Sequence, residues 1–340
     1  MFLRNCWYVA AEAGELARAP LGRIILGEPV VLYRKEDGTA VALEDRCCHH
    51  RAPLHKGRLV GDTIQCGYHG FVFAADGACV AVPGHERLPF KNVGVRAYPL
   101  CERHRYLWIW MGEREKADPA LVPDFARNAD PAWAAVNARL PMNANYFLLV
   151  ENLIDLSHVA FVHAGTIGSD DTAATLDFER AEGKVEVIRA AKDIPTPPHM
   201  RRIGLAQRAD MTKVIAFTPP CSITIDVIWA ERDTPGRKPR TMRAVIINSI
   251  TPETERSCHY FWGHVRDFDV RNTEMTEFFR NAVVTAFNED KDILEAQQRT
   301  IELDPLAPTL NVHGDWGGVQ ARRLVDALIA AEAPRTVAAQ

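Results

Sequence analysis

Long apolar runs are absent from this chain of 340 residues. No stretch approaches the roughly eighteen consecutive apolar residues that a membrane span needs. A strong charge of either sign is missing too, with 40 basic against 44 acidic residues and a formal net charge of −4. There is no basic run interleaved with aromatics, so neither a nucleic acid nor a membrane is expected as partner. Eight cysteines are too few for a disulfide scaffold of this length. In a reducing compartment, cysteines at motif spacing are metal ligands or catalysts. Glycine and proline, 21 of each, call for no fibrous or low-complexity reading. The Met1–Arg4 opening becomes charged too soon for a secretory signal. A cytoplasmic protein is expected.

What is present suits a packed interior: 47% of residues are hydrophobic and 25% charged. The length predicts two domains or one large one. Residues 1–115 read as β-rich, with short segments at Pro29–Tyr33, Ala40–Leu43, Phe71–Phe73, Val93–Tyr98 and Tyr106–Met111 between turn signals such as Asp76-Gly77 and Pro83-Gly84. Glu113–Pro131 reads as a connector. Residues 116–340 read as a second domain of α+β class. Its helices are expected at Asn143–Phe161, Thr273–Glu302 and Gly318–Ala331. Its strands are expected at Lys184–Arg189, Lys213–Phe217, Ser222–Ala230, Met242–Ile250 and His259–Val265.

The first constellation is Cys47-x-His49, sixteen intervening residues, then Cys66-x-x-His69. Each pair sits in a short turn and offers one thiolate and one imidazole. A zinc site is one reading, because Cys2His2 is a common zinc set. Zinc fingers usually group cysteines at one end and histidines at the other, whereas here each turn supplies one of each. That distribution matches a [2Fe–2S] cluster with two cysteines on one iron and two histidines on the other, the Rieske ligand set. Gly57, Gly61, Gly67 and Gly70 fall where tight turns need positive φ or close backbone approach. Cys48 reads as a spacer, and His50 and His55 as surface residues.

The second constellation runs from Glu151 to His163. Asp155 and His158 are three apart and share a helical face. His163 lies about 140° further round, so both histidines reach one metal only if the helix distorts or ends between them. Two histidines and one carboxylate with open positions make the ligand triad of non-haem Fe(II) oxygenases. The carboxylate must come from elsewhere. Asp290, in a predicted late helix, competes on composition with Glu289 and Asp292.

On these residues the chain resembles the oxygenase components of Rieske non-haem iron oxygenases over essentially its whole length. It is similar to the branch of vanillate O-demethylases, toluenesulfonate methyl-monooxygenases and dicamba O-demethylase. The branch markers are Arg4–Ala11, Ile250–Glu255 and Gly317–Arg323. The resemblance implies an N-terminal all-β Rieske domain followed by a helix-grip (START-like) catalytic domain. It implies that Cys47, His49, Cys66 and His69 hold the cluster and that His158, His163 and Asp290 hold the iron. It implies that Asn152 would lie beside the iron without firmly binding it. A head-to-tail homotrimer is implied, with His69 of one subunit facing Asp155 of the next, which makes Asp155 an electron bridge. A separate reductase or ferredoxin would pass on electrons from NAD(P)H.

The implied reaction is O-demethylation or methyl hydroxylation of a small anionic aromatic compound with O2. Asp226, Asn248 and Asn281 are candidates for the substrate pocket. Arg201, Arg202 and Arg208 are further possible anion donors. Two other readings remain: a non-catalytic Rieske electron carrier, and a zinc-bound interaction protein. Iron counts of about three or about two per chain separate oxygenase from carrier, and a colourless protein would mark the zinc form.

Overall fold

The computed structural model describes residues 1–88, 91–168, 174–181, 183–232 and 234–332. Contacts within it divide between Val122 and Pro123: one unit is Phe2–Val122 with Thr251–Thr254, the other Pro123–Ile250 with Glu255 onward. The division falls seven residues beyond the 115/116 boundary expected from the connector. Among the described residues no helix is long and apolar enough to cross a membrane.

The first unit is built from β1 (Trp7–Glu12), β2 (Leu21–Ile25), β3 (Glu28–Arg34), β4 (Ala40–Glu44), β5 (Arg58–Val60), β6 (Thr63–Gln65), β7 (Val72–Phe73), β8 (Cys79–Ala81), β9 (Leu100–Arg103) and β10 (Tyr106–Trp110). They form three small sheets, in the orders 1-10-9, 2-3-4 and 5-6-7-8. All five residues of β10 are buried, and Trp7 meets Trp110 edge to face at 5.3 Å. The expected strand at Val93–Tyr98 does not form a ladder. Val93 O and Val95 N bond to Cys79 and Gly77, whereas Arg96 O and Tyr98 N bond to Glu44 and Ala42. The segment thus splits its backbone bonds between two neighbours and leaves only isolated bridges.

The second unit centres on one antiparallel sheet of seven strands. They are β11 (Ala134–Met142), β12 (Thr175–Ala181), β13 (Lys184–Pro195), β14 (Arg208–Thr218), β15 (Ser222–Arg232), β16 (Thr241–Thr254) and β17 (Ser257–Arg266), in the order 11-17-16-15-14-13-12. β14 alternates half-buried and buried residues without a break, the signature of a sheet with one face on the core. Neither β11 nor β12 was expected: Ala134–Met142 lacks clean alternation, and Thr175–Ala181 is charged.

The helices are α1 (Tyr146–Ile154), α2 (Val159–Val162), α3 (Pro198–Arg202), α4 (Thr273–Leu303) and α5 (Trp316–Glu332). In α4 the buried residues Phe279, Val283, Ala286, Phe287, Asp290, Leu294 and Gln298 recur at helical spacing, so one stripe faces inward. Asn272 caps its start by accepting a bond from Met275 N at 2.9 Å. The helix expected across Asn143–Phe161 is broken. α1 stops at Asp155, whose extended backbone (φ −100°, ψ 102°) leads into a 3-10 turn over Leu156–His158 before the four residues of α2.

Candidate metal centres and substrate cavity

In the first unit two loops present the Cys–His pairs in matching fashion. Cys47 N bonds to Ala52 O and Arg51 N to Cys47 O. Cys66 N bonds to Phe71 O and Gly70 N to Cys66 O. The fifth residue of each loop has positive φ, 58° at Arg51 and 73° at Gly70. A side chain at Gly70 would also strike Pro83 Cγ at 2.8 Å. Close approach of a third segment is secured at Gly57, where a Cβ would lie 2.0 Å from Gln65 O.

The thiols of Cys47 and Cys66 are 2% and 3% exposed, whereas His49 and His69 are exposed, their ring centroids 4.8 Å apart. His49 stacks on Phe71 at 4.6 Å. Burial, with the adjacent Cys66 sulfur, pushes the Cys47 thiol up to about 11 against the opposing His49 N–H. Two buried sulfurs side by side are the donors a cationic metal pair recruits, since a coordinating thiol is deprotonated outright. The donor set therefore fits a cluster entered from the imidazole side. His50 packs on His49 at 3.9 Å, and its ring nitrogen falls within 4.8 Å of those of His49 and His69. His55 is half-buried and bonded through both its N–H and its ring to the Asp45 carboxylate, so it braces the loop. Cys48 is exposed.

In the second unit His158, His163 and Asp290 bring one donor atom each to within 4.8 Å of one another. The Nε2 atoms of His158 and His163 lie 3.4 and 3.2 Å from Asp290 Oδ1. Both Nδ1 atoms are occupied: that of His158 donates to Asp155 O at 2.8 Å, and that of His163 to Glu289 Oε2 at 2.7 Å. Such partners fix each tautomer with the Nε2 lone pair facing inward, as metal-ligating histidines require. Burial is the leading influence that lowers the His158 pKa, which keeps the imidazole neutral and ligand-competent. Asn152 Nδ2 donates to Asp290 Oδ1 at 3.2 Å, and Asn152 Oδ1 is buried without a hydrogen-bond partner. An orphaned buried acceptor beside two imidazoles and a 2%-exposed carboxylate fits a cation at this point.

The three carboxylates left open by composition are distinguished by position. Asp290 lies in the buried stripe of α4, Glu289 is the acceptor behind His163 and also bonds Thr166 Oγ1 at 2.8 Å, and Asp292 is exposed. Asp155 touches His158 through its main-chain carbonyl. Its carboxylate accepts from Ser157 N at 2.9 Å and Ser157 Oγ at 3.0 Å.

These donors form one end of a cavity of about 160 Å3 between the sheet and α4. Apolar cavities of roughly 150 Å3 accommodate a benzene ring. Its walls include Ile225, Val227, Trp229 and Ile246 on the strands and Phe279 and Val283 on α4.

Two family models match the chain. The Rieske [2Fe-2S] domain covers residues 6–99, and the vanillate O-demethylase oxygenase C-terminal domain covers 142–331. The chain belongs to the Rieske non-haem iron oxygenases. It is 39% identical to a putative toluene-4-sulfonate monooxygenase system iron-sulfur subunit of Comamonas testosteroni, over 98% of both chains. It is 36% identical to a vanillate O-demethylase oxygenase subunit of Pseudomonas sp. over 98% of this chain and 96% of that one. Its identity with the dicamba O-demethylase oxygenase component of Stenotrophomonas maltophilia is also 36%, over 98% and 99%. The crystal structure of dicamba monooxygenase bound to dicamba superposes with a TM-score of 0.90 at 34% identity, covering 98% of this chain and 99% of that one. The chain is thus the oxygenase component of a Rieske monooxygenase system, with a [2Fe–2S] cluster and non-haem iron as cofactors and a reductase as electron source.

In this Rieske oxygenase Asp226, Asn248 and Asn281, the residues expected to line the substrate pocket, do not line this cavity. Ile225, Val227 and Trp229 of β15 face the cavity, so Asp226 points to the other side of the sheet. There it holds a bidentate ion pair with Arg243 and accepts from Arg127 Nη1 at 3.1 Å. Asn248 is fully buried, donating to Ile223 O at 3.1 Å and accepting from Tyr260 Oη at 2.6 Å. Asn281 lines a separate, more open cleft. Arg202 lies over Phe278 at that cleft, Arg201 is exposed, and Arg208 binds Asp193 at 2.7 Å. The polar side chains that do line the cavity, apart from the metal candidates, are His199, Lys213 and His264. Sequence reasoning missed them, although the inward alternation of β14 marks Lys213 as a cation in a core position.

Proposed function

We propose that this oxygenase inserts one oxygen atom into the methyl or O-methyl group of a single-ring anionic arene. The carrying observation is the convergence of His158 Nε2, His163 Nε2 and Asp290 Oδ1 at the end of a ring-sized apolar cavity. In this reading those three residues hold the mononuclear iron, and Cys47, His49, Cys66 and His69 hold the cluster. When bound, the iron supplies dioxygen activation and the cluster supplies electrons singly. The balance is R–CH3 + O2 + 2e− + 2H+ → R–CH2OH + H2O. From a methoxy group the product is a hemiacetal, which breaks into a phenol and formaldehyde.

The protein's own part is orientation and exclusion. The Asp155 carbonyl and Glu289 hold the two imidazoles in the binding tautomer, and Asn152 steadies the Asp290 carboxylate. The apolar walls confine the ring and exclude water. The exposed imidazoles suit electron exit toward another molecule. We read the assembly as a head-to-tail trimer in which His69 of a neighbouring copy meets Asp155.

The test is iron analysis combined with turnover. The purified protein should hold about three irons per chain, two of them in the cluster. With a compatible reductase, NADH and O2, methoxybenzoates should release formaldehyde and methylbenzenesulfonates should give benzylic alcohols. About two irons per chain, or O2 uptake that is indifferent to every substrate of the panel, would overturn the reading.

A further inference from the structure

The side chains of α4 divide between two spaces. Phe279, Val283, Ala286 and Phe287 line the cavity described above. Phe278, Asn281 and Thr285, three and four residues apart and so on one face of the helix, line an open cleft of about 750 Å3. Asn281 and Thr285 are exposed, whereas Val283 and Ala286 are buried. Ala282 lies between the two stripes and borders both spaces. Among the described residues only Ile167 and His199 do the same. At these three positions the wall between cleft and cavity is one side chain thick.

The sheet side of the cavity is closed, because β14, β15 and β16 are paired without a gap over the span that lines it. Of the three shared residues, two are fixed. Thr166 N and Gly168 N both donate to His163 O, at 3.0 and 2.8 Å, which pins Ile167 between them. Ala282 belongs to the interior of a helix of 31 residues. His199 differs. It is half-buried in the five residues of α3, and its Nδ1 is buried without a hydrogen-bond partner. Rotation of the ring therefore breaks no hydrogen bond at that atom. Burial, with the Lys213 charge, holds the His199 pKa at about 4, so the ring is neutral at physiological pH and moves without carrying a charge.

We propose that the arene enters and leaves the cavity through this cleft, past a portal of Ile167, His199 and Ala282 in which the His199 ring is the moving leaf. The proposal rests on the oxygenase reading and adds to it the route by which substrate reaches the chamber. It places Asn281 and Thr285 on the approach, where they set the rate of exchange and leave the bound state alone.

The test is ligand exchange in the holoenzyme, followed by stopped-flow tryptophan fluorescence, to which Trp229 in the cavity wall contributes. The probes are 4-methoxybenzoate, toluene-4-sulfonate and toluene. Asn281→Phe and Thr285→Phe add bulk to the cleft alone. Each should slow association and dissociation together by at least about tenfold, a barrier increase of about 1.4 kcal/mol, and leave Kd within about threefold. His199→Ala should quicken both rates. Native exchange rates in both phenylalanine variants, or a weakened Kd at an unchanged association rate, would overturn the portal. Exchange in His199→Ala that is unchanged or slower would overturn the moving leaf, and this variant decides even if the cleft variants fail to fold. Failure of all three probes to bind the native protein would overturn portal and chamber together. About three irons per chain and product formation, with exchange untouched by the cleft variants, would refute the portal alone, whereas about two irons and no product would refute the oxygenase reading itself.

Discussion

Removing the Glu289 carboxylate should loosen the iron without touching the cluster. Glu289 accepts from His163 Nδ1 at 2.7 Å and from Thr166 Oγ1 at 2.8 Å, while the His163 side chain is 2% exposed. In Glu289→Ala the Nδ1–H is left buried without an acceptor, a loss of about 1–3 kcal/mol. The ring can recover part of this by moving its proton to Nε2, which then points at Asp290 Oδ1, 3.2 Å away, and no longer offers a lone pair to a metal. Either outcome competes with iron. Loss of an outer partner of this kind costs about 10- to 100-fold in metal affinity, and about 1.4 kcal/mol accompanies each tenfold step. Glu289→Gln keeps an acceptor oxygen and should fall between the native protein and the alanine variant. The assay is anaerobic Fe(II) titration of iron-depleted protein against a competing chelator, with the visible absorption of the cluster as internal control. Native affinity in Glu289→Ala, or equal loss of iron from both centres, would refute the assignment of Glu289 as the support of His163.

Asp155→Asn should retain both metals yet lower turnover by roughly a hundredfold. The substitution keeps the main-chain carbonyl that holds His158 and an oxygen for Ser157 N, and removes only the charge; single-turnover kinetics with prereduced protein would check it. His158→Ala should reduce iron from about three to about two per chain by elemental analysis, with the cluster spectrum unchanged. Gly70→Ala, at φ 73° and against Pro83, should cost about 1–2 kcal/mol and lower the thermal midpoint of the first unit by several degrees in calorimetry. Burial holds His199 at about 4 and His264 at about 3, both below the ordinary 6.5 of an unfolded chain. Their contribution to stability is therefore complete above pH 6.5 and declines as the pH falls toward 4. Urea midpoints measured across that window should fall, and His199→Gln should flatten the slope.

Much of the fold was legible because its patterns are strong. The late helix was expected at Thr273–Glu302 and spans Thr273–Leu303, and the inner strands of the large sheet lie where β-branched alternation placed them. The edge strand β12 was missed because its sequence is charged, and pairing with β13 supplies what local pattern does not. The break at Asp155 was illegible because Leu-Ile-Asp-Leu-Ser-His carries no glycine or proline, and the extended backbone there is stabilised by the turn that the Asp155 carboxylate itself caps. The choice among Asp290, Glu289 and Asp292 had a readable signal: Asp290 alone continues the spacing of Phe279, Val283 and Ala286, a carboxylate where the pattern requires an apolar residue. The lining of the cavity between the sheet and α4 was the least legible part. Asp226 lies on the opposite face of β15 from Ile225, Val227 and Trp229, which strand parity alone would have indicated, and Lys213 was passed over as an ordinary strand residue.

That parity has a bearing on how such a catalyst diversifies. The cavity is lined by every second letter over Ile225–Trp229 of β15 and Met242–Ile246 of β16, and on β15 the letters between them serve the opposite side, where Asp226 joins Arg127 and Arg243. A mutational walk over Ile225, Val227, Met242 or Ala244 can thus reshape the chamber while the ion pair behind it goes unread. A single inserted residue in β15, by contrast, would exchange the two alphabets and turn a carboxylate toward the ring.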